Sequence, residues 1–315
     1  MIDVHTHLWD PAISPQYMAD YFQKKKEAGK EICMTAEELL AHMDRNGIQK
    51  AIVLTLAFHS MMTNLELKTL HSYTAEQVKK SKGRLVAFFT VNPFEDNVME
   101  YVEKYIEKDK FVGLKLHPNI QEFFPDDERL RNIYKYLEEK RMPVLFHTGG
   151  IGLSGIRDCF GNLDAIDHIA CEFPELPIIM GHAGRIDYRR TAELLRKHPN
   201  VYADISTNFS RLHGKEWLML KELMEIVKIW CGNTEKLLFG SDYPFYSQDQ
   251  TTEIVRDFTK HNELFTVLER SDVDALMNKN AELFCEKYKL WRMKEFTFPW
   301  LRLKIGTDKL TPIAK

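Results

Sequence analysis

No apolar run in this chain reaches the ~18 residues or more that a membrane-spanning helix needs, so a helical membrane protein is not expected. Cysteine is scarce. The five residues, Cys33, Cys159, Cys171, Cys231 and Cys285, are odd in number and scattered, and no pair has Cys-x-x-Cys spacing. That excludes a zinc knuckle or a dithiol redox motif and leaves them as reduced packing residues. An excess of one charge is also missing: 43 Lys and Arg stand against 46 Asp and Glu, a formal net charge of -3. The balance gives no electrostatic ground for nucleic acid or an anionic membrane as a partner. The opening Met1-Ile2-Asp3-Val4-His5 lacks the basic start and apolar stretch of a secretory leader, so the expected location is the cytoplasm.

What is present is a globular composition, 44% hydrophobic and 28% charged over 315 residues. Such a length suits two domains or one large α/β barrel. Short apolar runs recur at Ile2–His5, Ala51–Leu54, Leu85–Val91, Val112–His117, Pro143–His147, Pro177–Gly181, Val201–Ile205 and Leu237–Ser241. They are nearly continuous, as parallel strands buried on both faces should be. Amphipathic stretches lie between them, including Ala36–Arg45, Asp127–Lys140, Thr191–Lys197 and Trp217–Trp230. Thr35 with Glu38 three residues on has capping-box spacing ahead of the first of these. About eight strands alternating with helices predict an α/β fold, a TIM (β/α)₈ barrel, spanning residues 1–284. A doubly wound sheet would carry a glycine-rich phosphate turn after an early strand, and there is none. Residues 9–32, with Tyr17, Tyr21 and Phe22, form a lid-like insertion or a solvated excursion. Residues 285–315 form an extension packing on the barrel or on a partner subunit in a homo-oligomer.

Barrel enzymes place their chemistry at the carboxyl ends of the strands, where the βα loops converge. Histidine ends the first strand (His5-Thr6-His7), the fourth (His117), the fifth (His147) and the sixth (His182), and Asp242 follows the eighth. Residues i and i+2 share a face of a strand, so His5 pairs with His7 and Lys115 with His117. A single histidine is ordinarily a hydrogen-bonded or exposed residue. His42, His71, His168, His198, His213 and His261 are read so, and His59 is left open. Five strand ends of this kind point instead to a metal site. Three histidines and an aspartate suit a borderline divalent ion, zinc or alternatively manganese or iron(II), and leave a position open for water or substrate. Such an ion lowers the pKa of bound water and polarises a carbonyl. Asp242 is then the proton acceptor and His182 orients the water or stabilises an oxyanion.

The stretches Ile2-Asp3-Val4-His5-Thr6-His7, Gly113-Leu114-Lys115-Leu116-His117-Pro118, Val144-Leu145-Phe146-His147-Thr148-Gly149, Ile179-Met180-Gly181-His182-Ala183-Gly184 and Leu238-Phe239-Gly240-Ser241-Asp242-Tyr243-Pro244 closely resemble the amidohydrolase superfamily. The likeness is to its amidohydrolase-related branch, which holds aminocarboxymuconate-semialdehyde decarboxylase-like metal-dependent hydrolases. Asn280-Ala281-Glu282-Leu283-Phe284 resembles the helix that closes such barrels. The resemblance implies that His5, His7, His147 and Asp242 bind one divalent metal and that His182 lies beside the reactive water. In binuclear members a carboxylated lysine bridges two metals, and Lys115 lies on the strand for that role. The expectation is one metal, with Lys115 and His117 facing the substrate.

Three functions remain open on the sequence. A hydrolase would act on an amide, ester or lactone of a small polar or carboxylated substrate. A non-oxidative decarboxylase would use the same ligands, and a barrel that has lost activity is the third reading. Arg157, Arg185 and Arg189 follow strands five and six, where a guanidinium could hold a substrate carboxylate, and Arg185 is the preferred one. Surface ion pairing is the ordinary alternative for the others.

Overall fold

Eight parallel strands form one sheet in which each pairs with its successor in sequence. They are β1 (Ile2–Thr6), β2 (Lys50–Leu54), β3 (Leu85–Phe89), β4 (Gly113–Leu116), β5 (Val144–His147), β6 (Ile178–Gly181), β7 (Val201–Asp204) and β8 (Leu237–Leu238). The structure is a computed structural model and describes residues 1–10, 12–27, 34–261 and 267–291. Helices α1 (Gln16–Glu27) and α2 (Ala36–Asn46) follow β1, α3 (Asn64–Lys80) follows β2, and α4 (Val98–Glu107) follows β3. The short α5 (Pro118–Gln121) and α6 (Arg131–Lys140) follow β4, α7 (Leu163–Glu172) β5, α8 (Tyr188–Lys197) β6 and α9 (Leu218–Cys231) β7. After β8 come α10 (Gln248–Phe258), α11 (Arg270–Asp274) and α12 (Asn280–Lys287). All eight predicted strands are found, most of them shorter by one to three residues, because parallel pairing stops where the chain turns into each loop. The predicted capping box at Thr35 and Glu38 is formed, with Gly47 ending α2 in the left-handed conformation.

The ring closes between the first and last strands. β8 is only two residues long, so closure extends past it: Val4 N donates to Phe239 O at 3.0 Å, Asp242 N to His5 O at 2.8 Å and His7 N to Tyr243 O at 2.7 Å. The Asp3 carboxylate ties the same seam by accepting from Ser241 N (3.0 Å), Ser241 Oγ (2.6 Å) and Gln248 Nε2 (2.8 Å). Burial raises the Asp3 carboxyl to about 6, against the lowering effect of these bonds.

Strict alternation along β1 would place His5 on the face of Asp3, which points out toward α10. Ile2 and Val4 pack inside with Ile52, Leu54, Phe88, Leu145, Ile179 and Leu238. The β1–β2 register shifts between Asp3 and Thr6, a bulge that turns His5 inward beside Gly240 and Gly181. Bulges beside active sites commonly re-aim a side chain in this way. Below this layer, Phe284, Cys285, Tyr288 and Leu290 of α12 and its continuation plug the barrel floor. The larger apolar shell lies between strands and helices, with Leu114, Val144, Met180 and Ala203 facing Ile133, Ile166, Leu194 and Leu223.

At the mouth, Met18 of α1 packs with Trp9, Phe58, Met62 and Leu67, and Tyr21 meets the Phe245 ring at 5.8 Å. The described part of the 9–32 insertion thus sits against the loops after β1, β2 and β8. Residues 28–32 of that insertion, Cys33, and 292–315 of the C-terminal extension lie outside the described residues. The side chains of Tyr17 and Phe22 do so as well.

Candidate active site

The side chains that the sequence picked out are buried together at the mouth: His5, His7, Lys115, His117, His147, His182 and Asp242 are each at most 9% exposed. Ligand atoms of His5, His182 and Asp242 lie within 4.8 Å of one another. His7 joins them through Nε2, 3.2 Å from Asp242 Oδ1, while His5 Nε2 is 3.5 Å from that same oxygen. The His147 ring is 4.6 Å from His182, and on its other side the His117 ring stacks on it at 4.0 Å.

Hydrogen bonds at the back of each imidazole set its tautomer. His5 Nδ1 is 2.8 Å from Asp204 Oδ2, and His7 Nδ1 is 2.8 Å from Leu54 O. A carboxylate and a carbonyl only accept, so both Nδ1 atoms carry the proton. Ser206 Oγ donates to Asp204 Oδ1 and therefore accepts from His182 Nδ1 at 2.8 Å. Three Nε2 lone pairs are left facing inward. Burial lowers the pKa of His7, against the raising effect of Asp242, and pushes His147 and His182 well below the ordinary histidine value, with neighbouring positive charge adding to it. These rings are neutral.

The arrangement has an electrostatic consequence. The His5 and His7 lone pairs both face one carboxylate oxygen, and the buried His147 Nε2 has no hydrogen-bond partner among the described residues. Lone pairs converging on a carboxylate repel unless a cation stands among them. The donor set, imidazole nitrogens with carboxylate oxygen, fits a borderline divalent ion.

Backbone strain places two of these groups. His182 and Ala183 have φ of 63° and 47°, and Asp242 has φ 63°, a region costly for side chains larger than glycine. The β6 turn is held by Thr148 Oγ, which donates to Gly181 O (2.6 Å) and accepts from Gly184 N (3.0 Å). Thr191 Oγ donates to Ala183 O and Asn208 Nδ2 to His182 O, each at 2.8 Å.

Positive charge lies on the far wall. Burial lowers the Lys115 amine to about 8, with Asp204 and Asp242 opposing the shift. Arg185 acts electrostatically on His147 and His182, and its Nε is buried without a partner among the described residues. Of the other two arginines, Arg157 is exposed and paired with Glu122, and Arg189 is exposed. His117 caps α5, its Nδ1 accepting from Ile120 N at 3.4 Å. Opposite, Trp9 stacks on His7 at 5.4 Å with Phe245 edge-on to both, an aromatic wall. His71 is buried in packing far from this group, and His59 is exposed on its loop.

Sequence reasoning missed Asp204 and Ser206, which hold His5 and His182, and Asp3, which ties the seam. Their signal was an aspartate inside an apolar run: Asp204 is fully buried, a placement that demands partners. Burial opposes its ionisation, yet His5, Ser206 and the His182 amide outweigh it and hold the carboxyl below the usual range.

Solved structures share this architecture. A 2,6-dihydroxybenzoate decarboxylase from Rhizobium is 17% identical with TM-score 0.67, covering 92% of this chain and 98% of its own. A dihydroxybenzoic acid decarboxylase from Polaromonas sp. with bound manganese is 16% identical with TM-score 0.66, covering 94% and 99%. An amidohydrolase from Burkholderia multivorans is 14% identical with TM-score 0.63, covering 91% and 98%. No curated protein matches the chain. The family model described as Amidohydrolase matches residues 2–284. A barrel whose strand ends gather these imidazoles and carboxylates, matched over nearly all of its length, belongs to the amidohydrolase family of metal-dependent enzymes.

Proposed function

We propose that this enzyme is a hydrolase of small carboxylated substrates, with one divalent ion held by His5, His7, His147 and Asp242. The observation that carries the reading is the pair of Nε2 atoms, on His5 and His7, that converge on Asp242 Oδ1. Zinc is the first choice for this donor set and manganese the second. When bound, the ion supplies Lewis acidity to a substrate oxygen and makes water more acidic. Asp242 accepts the proton of the attacking water and returns it to the leaving group. His182, its Nδ1–H pinned by Ser206, presents a neutral Nε2 beside Asp242 and orients that water or receives a proton. Because its ligand atom groups with His5 and Asp242, His182 is also a candidate ligand. Lys115 and Arg185 supply the positive charge that draws a substrate carboxylate, and Trp9 and Phe245 exclude water on the opposite side. A partly neutral Lys115 amine near pH 8 is also what carbamate formation and a second, bridged metal would require.

The second reading is non-oxidative decarboxylation. Two cations beside neutral imidazoles favour it, since they suit a substrate whose carboxylate faces the site, and the Rhizobium and Polaromonas neighbours are decarboxylases by name. One experiment separates the two. Metal-loaded enzyme is offered lactones, amides and aromatic carboxylates in heavy-oxygen water and, separately, in deuterated water. Hydrolysis places solvent oxygen in the product, whereas decarboxylation releases carbon dioxide and places a solvent deuteron on carbon. Turnover that survives full removal of divalent metal would overturn both readings.

A further inference from the structure

A second group of ligand-type side chains lies on the outer wall, away from the mouth. Asp167 and Cys171 stand four residues apart on α7 and so share one helix face. His198, directly after α8, completes the group, and the ligand atoms of all three lie within 4.8 Å of one another. Helices run opposite to the strands in this fold. The C-terminal ends of α7 and α8 therefore lie toward the barrel floor, across the molecule from the active site.

We propose that Asp167, Cys171 and His198 form a second metal site, specific for zinc or a similarly thiophilic divalent ion, that pins α7 to the end of α8. Three features argue for it. First, the donors are one sulfur, one nitrogen and one oxygen, a set that favours zinc and disfavours calcium and magnesium, which take oxygen. Second, the positions are fixed from behind. The side chain of His198 is 7% exposed, its N–H donates to Leu194 O, and its carbonyl accepts from Lys236 Nζ at 2.6 Å. Asp167 Oδ2 is held by Arg190 Nη2 at 3.1 Å, leaving Oδ1 to the site. Third, a cation already stands there. The Lys197 ammonium is 2.7 Å from Asp167 Oδ1 and also bonds the Cys171 thiol. Lys197 is half-exposed on a flexible stem, so its ammonium can swing into solvent when a metal ion takes its place. Cys171 is exposed and the site opens to solvent on its side, so water completes the coordination.

Binding requires the Cys171 thiol to lose its proton to solvent. His198 Nε2, now 2.6 Å from Asp167 Oδ1 and donating to it, must free its lone pair, with the ring proton carried on Nδ1 instead. Zinc affinity at this site therefore rises with pH. Arg190 and Lys197 oppose the ion electrostatically, and Lys197 competes with it directly. Removing that competitor should tighten binding.

The test counts zinc equivalents and follows the thiol. Purified full-length protein is titrated with zinc against a chromogenic chelator. The rate of Cys171 alkylation by iodoacetamide is read by mass spectrometry, with exposed Cys159 as the internal control. Zinc should slow alkylation of Cys171 by about tenfold or more while leaving Cys159 unchanged. Calcium and magnesium should protect neither thiol. Cys171→Ser and His198→Gln should each abolish one zinc equivalent and leave the one lost in a His5→Ala/His7→Ala variant. Lys197→Met should bind zinc more tightly, by about fivefold or more. Equal alkylation of Cys171 with and without zinc overturns the proposal, as does an unchanged zinc count in Cys171→Ser. Weaker zinc binding in Lys197→Met overturns the account of the ammonium as a competitor. Because the active-site equivalent is counted separately, failure here is distinct from failure of the catalytic reading.

Discussion

Replacing Asp204 by asparagine exchanges a single atom and should cripple the metal centre through a proton on another residue. Asp204 Oδ1 accepts from His182 N (3.2 Å), Ser206 N (3.0 Å) and Ser206 Oγ, and Oδ2 accepts from His5 Nδ1 (2.8 Å). In Asp204→Asn the amide oxygen keeps the first three donors, which leaves the NH2 group facing His5 Nδ1. Two donors cannot pair, so His5 moves its proton to Nε2, the atom that faces Asp242. A protonated Nε2 cannot coordinate. The lost bond is charge-assisted and buried, worth about 1.5–3 kcal/mol. At ~1.4 kcal/mol per decade this is about 10–100-fold in metal affinity, the range typical for partners that orient a ligating histidine. Affinity is measured by competition with a chromogenic chelator. The ring nitrogen chemical shifts of labelled histidine report the tautomer, and a thermal melt of apoprotein verifies the fold. If affinity stays within about threefold of wild type while His5 has changed tautomer, His5 is not a ligand and the reasoning fails.

Asp242→Asn should keep part of the metal, because the amide oxygen still coordinates, yet lose turnover by about 10²–10⁴-fold, since an amide cannot accept and return a proton. His182→Asn should also slow turnover but with near-normal metal content; metal lost in step with activity makes His182 a ligand. Burial lowers His71 to about 3 from 6.5, so the unfolded chain binds a proton there that the folded one does not across that window. Its contribution is therefore complete above pH 6.5 and is lost as pH falls, by up to about 1.4 kcal/mol per unit. The urea-midpoint difference between wild type and His71→Gln should accordingly change below pH 6.5, and a constant difference refutes this. A Cβ on Gly181 would lie 2.6 Å from Phe146 O, so Gly181→Ala should cost about 1–3 kcal/mol in a denaturant melt; a neutral effect would mean that β5 and β6 can part there without cost.

The strands were legible because each is an apolar run of the length a doubly buried strand needs. The mouth residues were legible because histidine recurred where those runs end. The inward aim of His5 was read from the face it shares with His7, but the register shift after Asp3 that separates it from the outward Asp3 was not. Nor could the sequence rank His182 against His147. Both end strands in the same way, and the left-handed backbone at His182 and Ala183 is what sets that ring beside His5. Asp204 was hidden inside a run read only for its hydrophobicity. The second cluster escaped because its members are spread over two helices and their ends, where His198 reads as an ordinary surface histidine.

The seam between β1 and β8 joins Asp3 to Ser241, residues 238 positions apart. As the ribosome releases the polypeptide, His5 and His7 emerge long before Asp242 and wait through six intervening strands for it to face them. A barrel still lacking its last strand offers an ion imidazoles from β1, β5 and β6 but no Asp242 carboxylate. The full donor set at the mouth is therefore assembled only when the last strand docks on the first. Of the proposed ligands, Asp242 is the last to arrive, and it comes with the seam itself.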